Sequence, residues 1–301
     1  MEKYIFKNNN YERIKEELNT NGYIILRNIL NDDEIQEYKN EFFNWYNNVT
    51  DLKKLHNIIE YNGIFKFHEV GNQRFAWLVR TNEKIINVFK DLWQTDELVT
   101  SFDGACYYPT DYICSERYWT HTDQSSRKKG IHCYQSFISL TNNEERTLQL
   151  YKGSNLLHED YFIKMNIDSP SDWNIIDPSY INNIINTQVN LKVNAGDLVI
   201  WDSRTFHQNL CGNQDCMEER LVQYLCYLPK NGAGNTIDEE NYRKQCFKYK
   251  RTTSHWPYPI YPVNRQPELF NSYSKDKIYI DYNSLNPPKL DDLKEQIDKL
   301  L

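Results

Sequence analysis

Apolar and polar positions along this chain fall into two textures. Up to about residue 98 the apolar positions recur at helical spacing. The run NGYIILRNIL (21–30) opens with a turn-forming Asn-Gly and reads as a strand. It leads into Ile35, Tyr38, Phe42 and Trp45, whose three-to-four-residue rhythm predicts a helix with one buried face. Asn31 or Asp32 stands where a cap is needed, and acids crowd the first turn, where the helix dipole favours them. A second helix is predicted over 82–94, with Ile85, Phe89, Leu92 and Trp93 inward. From about 99 short β-type runs take over: VTSFDGACYY, RYWTHTD, IHCYQSFISL, RTLQLYKGS, TQVNLKV, GDLVIWDS and RLVQYLCYLP. Runs of this kind, separated by loops, predict a sandwich or barrel rather than alternating βαβ units.

The stretch 156–186 reads as a polar insertion within the β region. Beyond Pro229 the chain is rich in Tyr, Pro and Asn, with SHWPYPIYPVN (254–264) expected to be extended and a helix expected near 290–301. No repeat or linker divides it. The expectation is a single domain over 1–301: an N-terminal strand and helices (1–98), a β core (99–230) and an extension packed on that core (231–301).

Composition narrows the function. Hydrophobic residues at 40% and aromatics at 14% support a sizeable core. A net charge of −7, without a long single-sign block, argues against nucleic acid as the main partner. The N-terminal stretch lacks an apolar leader and no window approaches a membrane span, so a cytoplasmic protein is expected. Seven cysteines without a CxxC pair are expected to be reduced and mostly buried. Cys211 and Cys216, the closest couple, match no common zinc knuckle.

Candidate chemistry begins at YWTHTDQ (118–124), where His121 and Asp123 stand two apart and so share one face of a strand. Such a pair is weak evidence by itself. GDLVIWDSRTFHQN (196–209) adds His207 just after a buried strand. Two imidazoles and one carboxylate are the donor set that holds non-haem Fe(II) and leaves coordination positions open. A bidentate 2-oxo acid takes two of these and dioxygen the third. The far carboxylate of 2-oxoglutarate calls for a planar, bidentate cation. Arg220 opens RLVQYLCYLP beyond the short loop LCGNQDCMEE; Arg204, placed before His207, is the weaker candidate. Gln135, an amide inside an otherwise apolar strand, is read as a donor to cosubstrate or substrate, or as a satisfied core group.

Together these segments resemble the phytanoyl-CoA dioxygenase-like branch of the Fe(II)/2-oxoglutarate-dependent oxygenases. The likeness runs from NGYIILRNILNDDEI through WTHTDQ, CYQSFISL and LQLYKGSNLLH to GDLVIWDSRTFHQN and RLVQYLCY, roughly 21–230. It implies a mainly β fold with flanking α-helices, the double-stranded β-helix, a cupin-like jelly roll. It implies His121, Asp123 and His207 as iron ligands and Arg220 as the 2-oxoglutarate anchor. It also implies a hydroxylase using Fe(II), 2-oxoglutarate and dioxygen, with ascorbate as a stimulant and succinate and carbon dioxide as coproducts. Halogenating relatives replace the carboxylate with a small residue; Asp123 retains it. The family's PGSH element reads KGSN here, with His158 a few residues away.

The partner expected is a small molecule, anionic if Arg127, Lys128 and Lys129 form a landing point at the site mouth; no nucleic acid or membrane is expected. His132 is read as a supporting group, His158 as a solvent-facing loop residue, His255 as packing, and Tyr108 and Trp119 as core. Two further readings stay open: a non-catalytic β-sandwich binding module, and a metal-dependent cupin-like isomerase or epimerase, which expects more histidines and a Glu.

Overall fold

The computed structural model describes residues 11–49, 52, 62–113, 117–267 and 279–301. In chain order its strands are β1 (Tyr23–Leu26), β2 (Ile64–Phe65), β3 (Leu98–Thr100), β4 (Ala105–Tyr108), β5 (His121–Thr122) and β6 (Tyr134–Ser139). They continue with β7 (Leu148–Tyr151), β8 (Asn174–Ile175), β9 (Gln188–Asn190), β10 (Leu198–Asp202), β11 (His207–Asn209) and β12 (Arg220–Pro229). The chain divides into two compact units, one from 1–29 and 108–220, the other from 30–107 and 221–301.

The first unit holds two antiparallel sheets. One runs β1-β10-β6, with Tyr23 opposite Trp201 and Trp201 opposite Gln135. The other runs β8-β5-β11-β7-β9. All residues of β6 and β10 are buried, which is why β10 opens with the apolar run Leu198–Trp201 rather than an alternation. A helix at Tyr11–Asn21 precedes β1, and Gly22 joins them at φ 80°, a left-handed conformation glycine adopts freely. A Cβ there would stand 2.6 Å from Thr205 Oγ1, while the Gly22 carbonyl accepts from the Asp202 N–H and from Thr205 Oγ1.

The second unit pairs β2 with β4 and β3 with β12, and carries helices at Asp32–Asn48, Arg74–Arg80, Glu83–Trp93, Ile237–Lys248 and Lys294–Leu300. The predicted start of the first of these is realised as a reciprocal cap: Asn31 accepts from the Glu34 N–H and Glu34 accepts from the Asn31 N–H. Phe42 is ringed by Phe43, Trp45, Tyr46, Phe65, Phe75 and Tyr107, with centroids 5.1–6.4 Å away. A second cluster joins Trp77, Phe102, Cys246, Ile260, Ile297 and Leu301.

The structure corrects several expectations. The segment 156–186 is an integral part of its unit: it forms a helix at His158–Lys164, contributes β8 and supplies Tyr161, Phe162, Ile176 and Ile181 to a buried cluster. Its many Asp, Asn, Ser and Pro residues concealed it, because buried positions such as Tyr161, Phe162, Ile176 and Ile181 are interleaved with exposed apolar ones such as Leu156, Ile163 and Ile185. VTSFDGACYY breaks into β3 and β4, and only His121–Thr122 of RYWTHTD is regular strand. Cys211 is disulfide-bonded, so the thiols are not all reduced, while Cys106, Cys133, Cys216, Cys226 and Cys246 form no disulfide. No described helix is long and apolar enough to cross a membrane.

Candidate metal centre

Strand register decides which side chains meet. Directly opposed residues in an antiparallel pair point to the same face. His121 lies opposite His207, His121 opposite Ile175, and His207 opposite Leu150. One face of the five-stranded sheet therefore carries the row Ile175, His121, His207, Leu150. Asp123, two residues beyond His121, joins that face.

The three polar groups converge. Asp123 Oδ2 is 3.4 Å from His121 Nε2 and 3.3 Å from His207 Nε2, and the imidazole centroids are 4.4 Å apart. Donors held about 2.1 Å from one ion at right angles lie about 3 Å apart. Among the described residues this is the trio of His, Cys, Asp or Glu groups that could hold a metal, and all three are buried. Each imidazole has its far nitrogen on a backbone carbonyl: His121 Nδ1 on Trp119 O at 3.0 Å, His207 Nδ1 on Thr205 O at 2.8 Å. A carbonyl only accepts, so Nδ1 carries the hydrogen and the Nε2 lone pair is left toward the centre. Burial, with the neighbouring His121 imidazole, holds His207 below the usual histidine range, which keeps it in the neutral form that a metal requires. Geometry, protonation and donor type all fit a divalent ion.

The first sheet covers this face. Gln135 Nε2 donates to Asp123 Oδ2 at 3.0 Å, and the Trp201 ring lies 5.3 Å from that of His207. Both come from one cross-strand pair of β6 and β10. Arg220 is fully buried at the head of β12, its guanidinium 5.6 Å from the Phe137 ring centre, two residues along β6 from Gln135. Arg204, the rival anchor, is spent on Asp202 through three contacts of 2.6–3.2 Å.

Neighbouring amides hold the two ligand strands in place. Gln208 Oε1 accepts from the Trp119 N–H at 3.1 Å and from Thr120 Oγ1 at 2.9 Å, while Trp119 Nε1 donates to Asn209 O. Gln124 accepts from Ser203 Oγ and donates to the Lys128 and Gly130 carbonyls, and the Asp123 N–H donates to Ser203 O. His158 is not solvent-facing. It is completely buried at the start of its helix, edge-on to Phe162, with Nε2 on the Gln124 carbonyl at 2.9 Å. Burial holds its pKa low, so it serves as a neutral donor that fixes the chain beside Asp123.

Other expected residues lie elsewhere. His132 is exposed, with Nε2 near Lys129 O, and takes no part in the trio. Tyr108 is core, against Tyr112 and Arg146. Trp119 is only half-buried and stacks on His121 at 4.9 Å and 18°, so the core reading of it is incomplete. Arg127, Lys128 and Lys129 face Asp168, Asp172 and Glu159 respectively. Trp173 and Trp201 were missed from sequence; Trp201 sits in a uniformly buried strand without alternation, and Trp173 in the segment read as an insertion. Gln208 was legible only as the neighbour of His207.

Comparison with known proteins bears on this arrangement. The description "Phytanoyl-CoA dioxygenase (PhyH)" matches residues 18–209. The Aspergillus versicolor protein "Ava biosynthesis cluster protein O" is 25% identical over 274 residues, covering 81% of this chain and 85% of that protein. Among solved structures, EctD from S. alaskensis, determined with 2-oxoglutarate and 5-hydroxyectoine, aligns with a TM-score of 0.53 at 14% identity over 75% of this chain and 79% of that one. The non-haem monooxygenase ThoJ aligns with a TM-score of 0.51 at 15% identity over 74% and 80%. At that identity the likeness is one of fold, and it agrees with the expected double-stranded β-helix. By its family match the chain belongs to the phytanoyl-CoA dioxygenase family, and so to the 2-oxoglutarate-dependent dioxygenases.

Proposed function

We propose that this chain is an Fe(II)- and 2-oxoglutarate-dependent oxygenase that hydroxylates an unactivated C–H bond of a small molecule, releasing succinate and carbon dioxide. The observation that carries the reading is the buried trio His121, Asp123 and His207, with both imidazoles oriented by carbonyls. Bound there, Fe(II) supplies the oxidising chemistry with dioxygen and 2-oxoglutarate, and ascorbate serves to keep it ferrous. The protein's own groups bind, orient and exclude water. His121 and His207 offer Nε2 lone pairs, and Asp123 offers a carboxylate oxygen, kept in direction by Gln135. Gln135 Oε1, buried and without a hydrogen-bond partner, remains as an acceptor for a ligand. Arg220 is assigned to the far carboxylate of 2-oxoglutarate, where its complete burial strengthens a bidentate pair by removing water's competition.

Retention of all three donors favours this reading over a non-catalytic module. A cupin-like isomerase expects further His and Glu ligands, and none joins the trio among the described residues. An anionic substrate loses its support, because each cation of the 127–129 loop already faces a carboxylate. A cytoplasmic setting is part of the reading, supported by the five described cysteines that form no disulfide, against the disulfide at Cys211.

The test is turnover of labelled 2-oxoglutarate with Fe(II) and ascorbate. Wild type is expected to release succinate, and Asp123→Ala to lose at least about 100-fold of it, in line with loss of one metal ligand. Arg220→Ala is expected to weaken 2-oxoglutarate binding by ~30-fold, about 2 kcal/mol for a charge-assisted pair. Succinate release unchanged in Asp123→Ala contradicts the proposal.

A further inference from the structure

The edge strand beside the centre presents a pattern that folding alone does not explain. Ile175 lies directly opposite His121, and Trp173, just before β8, has its ring 5.8 Å from that of His121. Both side chains are therefore on the side of the sheet that carries the metal trio. Both are exposed, Trp173 by 52% and Ile175 by 41%, while Ile176, on the opposite face, is completely buried in the cluster of Tyr161 and Phe206. The apolar residue that the fold needs is thus Ile176. The two beside the centre are left bare.

Trp173 and Trp119 both take His121 as neighbour: the Trp119 ring stacks at 4.9 Å and 18°, and the Trp173 ring lies at 5.8 Å and 39°. Neither position is accidental. Trp119 is fixed by its indole N–H on Asn209 O. The segment leading to Trp173 is fastened to the loop after Asp123 by Ser125 Oγ and Ser126 Oγ on Ser169 O, by the Ser125 N–H on Asp172 and by the ion pairs Arg127–Asp168 and Lys128–Asp172. The basic loop is consumed in holding this rim.

We propose that Trp119, Trp173 and Ile175 form the substrate wall of the centre, and that it takes a neutral molecule presenting a flat hydrocarbon or aromatic face. This rests on the oxygenase reading for its site, though not for its measurement. A fixed, exposed indole beside a metal ligand supplies stacking and apolar area at little entropic cost, and charge plays no part because the nearby cations are paired.

The probe is 1-naphthol, with 1-naphthyl phosphate as its anionic counterpart, each titrated into the full chain by calorimetry without turnover. Wild type is expected to bind 1-naphthol at least tenfold tighter than the phosphate. Trp173→Ala is expected to weaken 1-naphthol at least tenfold and Ile175→Ser about threefold, with Trp173→Phe restoring most of the loss. Equal affinity in wild type and Trp173→Ala, preference for the phosphate, or no binding of 1-naphthol by a folded wild type each overturns the proposal. Succinate release from 2-oxoglutarate, measured on the same samples, reports separately on the oxygenase reading: its absence with 1-naphthol bound leaves the wall standing and removes the metal chemistry.

Discussion

Gln208 shows how much of a metal centre depends on residues that never touch the metal. Its single amide oxygen receives the Trp119 N–H and the Thr120 hydroxyl, so the residue after one imidazole ligand holds the two residues before the other. Removing that oxygen leaves β5 and β11 free to shear by fractions of an ångström, enough to spoil donor geometry. Gln208→Leu is expected to lower Co(II) affinity by about 10- to 100-fold, the usual cost of losing an orienting partner. Titration of the Co(II) visible spectrum checks this; an affinity equal to wild type contradicts the positioning role. At this scale the trio itself was legible in sequence, because a two-residue gap on a strand and a His after a buried strand are local signals. Gln208 and Trp173 were not, because their meaning comes from strands that meet only on folding. His158 was misjudged for the same reason: nothing local announces that its loop turns inward onto Gln124.

Among the elements, the loop between β11 and β12 was expected only as a short connection before Arg220. It is organised by Arg146, whose five N–H groups all go to backbone carbonyls: those of Pro109, Tyr112, Cys211, Cys216 and Glu218. A buried guanidinium satisfied in this way ties the chain before β7 to the chain before β12. Lysine has three donors in a compact head and cannot span the same set. Arg146→Lys is expected to destabilise the protein by about 3 kcal/mol or more, since carbonyls are left buried and unsatisfied. Denaturant unfolding measures the loss, and hydrogen exchange should place the loosening at 211–218; stability within 1 kcal/mol of wild type would refute it. Sequence periodicity found the long regular elements, the helices at Asp32–Asn48 and Glu83–Trp93 and the strands β6, β10 and β12. It missed Arg74–Arg80 and Ile237–Lys248, the first because it is short and almost wholly buried and the second because its buried positions are only Arg243 and Cys246.

For the whole molecule, stability should respond to acid through Glu218. Burial by itself would raise this carboxyl, but the N–H groups of Arg146, Glu144 and Glu145 and the Asn143 amide outweigh it and bring the pKa below the ordinary value. A depressed carboxyl contributes stability that is present above its unfolded pKa, near 4.3, and is lost as pH falls through the folded value. Glu218→Ala is therefore expected to cost about 1–2 kcal/mol at pH 7 and progressively less below about pH 4. Paired unfolding curves across that range decide it, and a difference independent of pH contradicts the assignment. Composition had indicated a large core and the short β-type runs a β core, while the arrangement into two compact units escaped both because each unit draws on two distant stretches of chain. The central claim is that His121, Asp123 and His207 present one Fe(II) to 2-oxoglutarate with Arg220 as its anchor. Anaerobic titration of the Fe(II)-loaded protein with 2-oxoglutarate, followed by its visible charge-transfer absorption, tests this most directly. A saturable band in wild type, absent in Asp123→Ala and shifted to at least tenfold higher 2-oxoglutarate in Arg220→Ala, is the predicted result; no band in wild type, or the same band in Asp123→Ala, contradicts it.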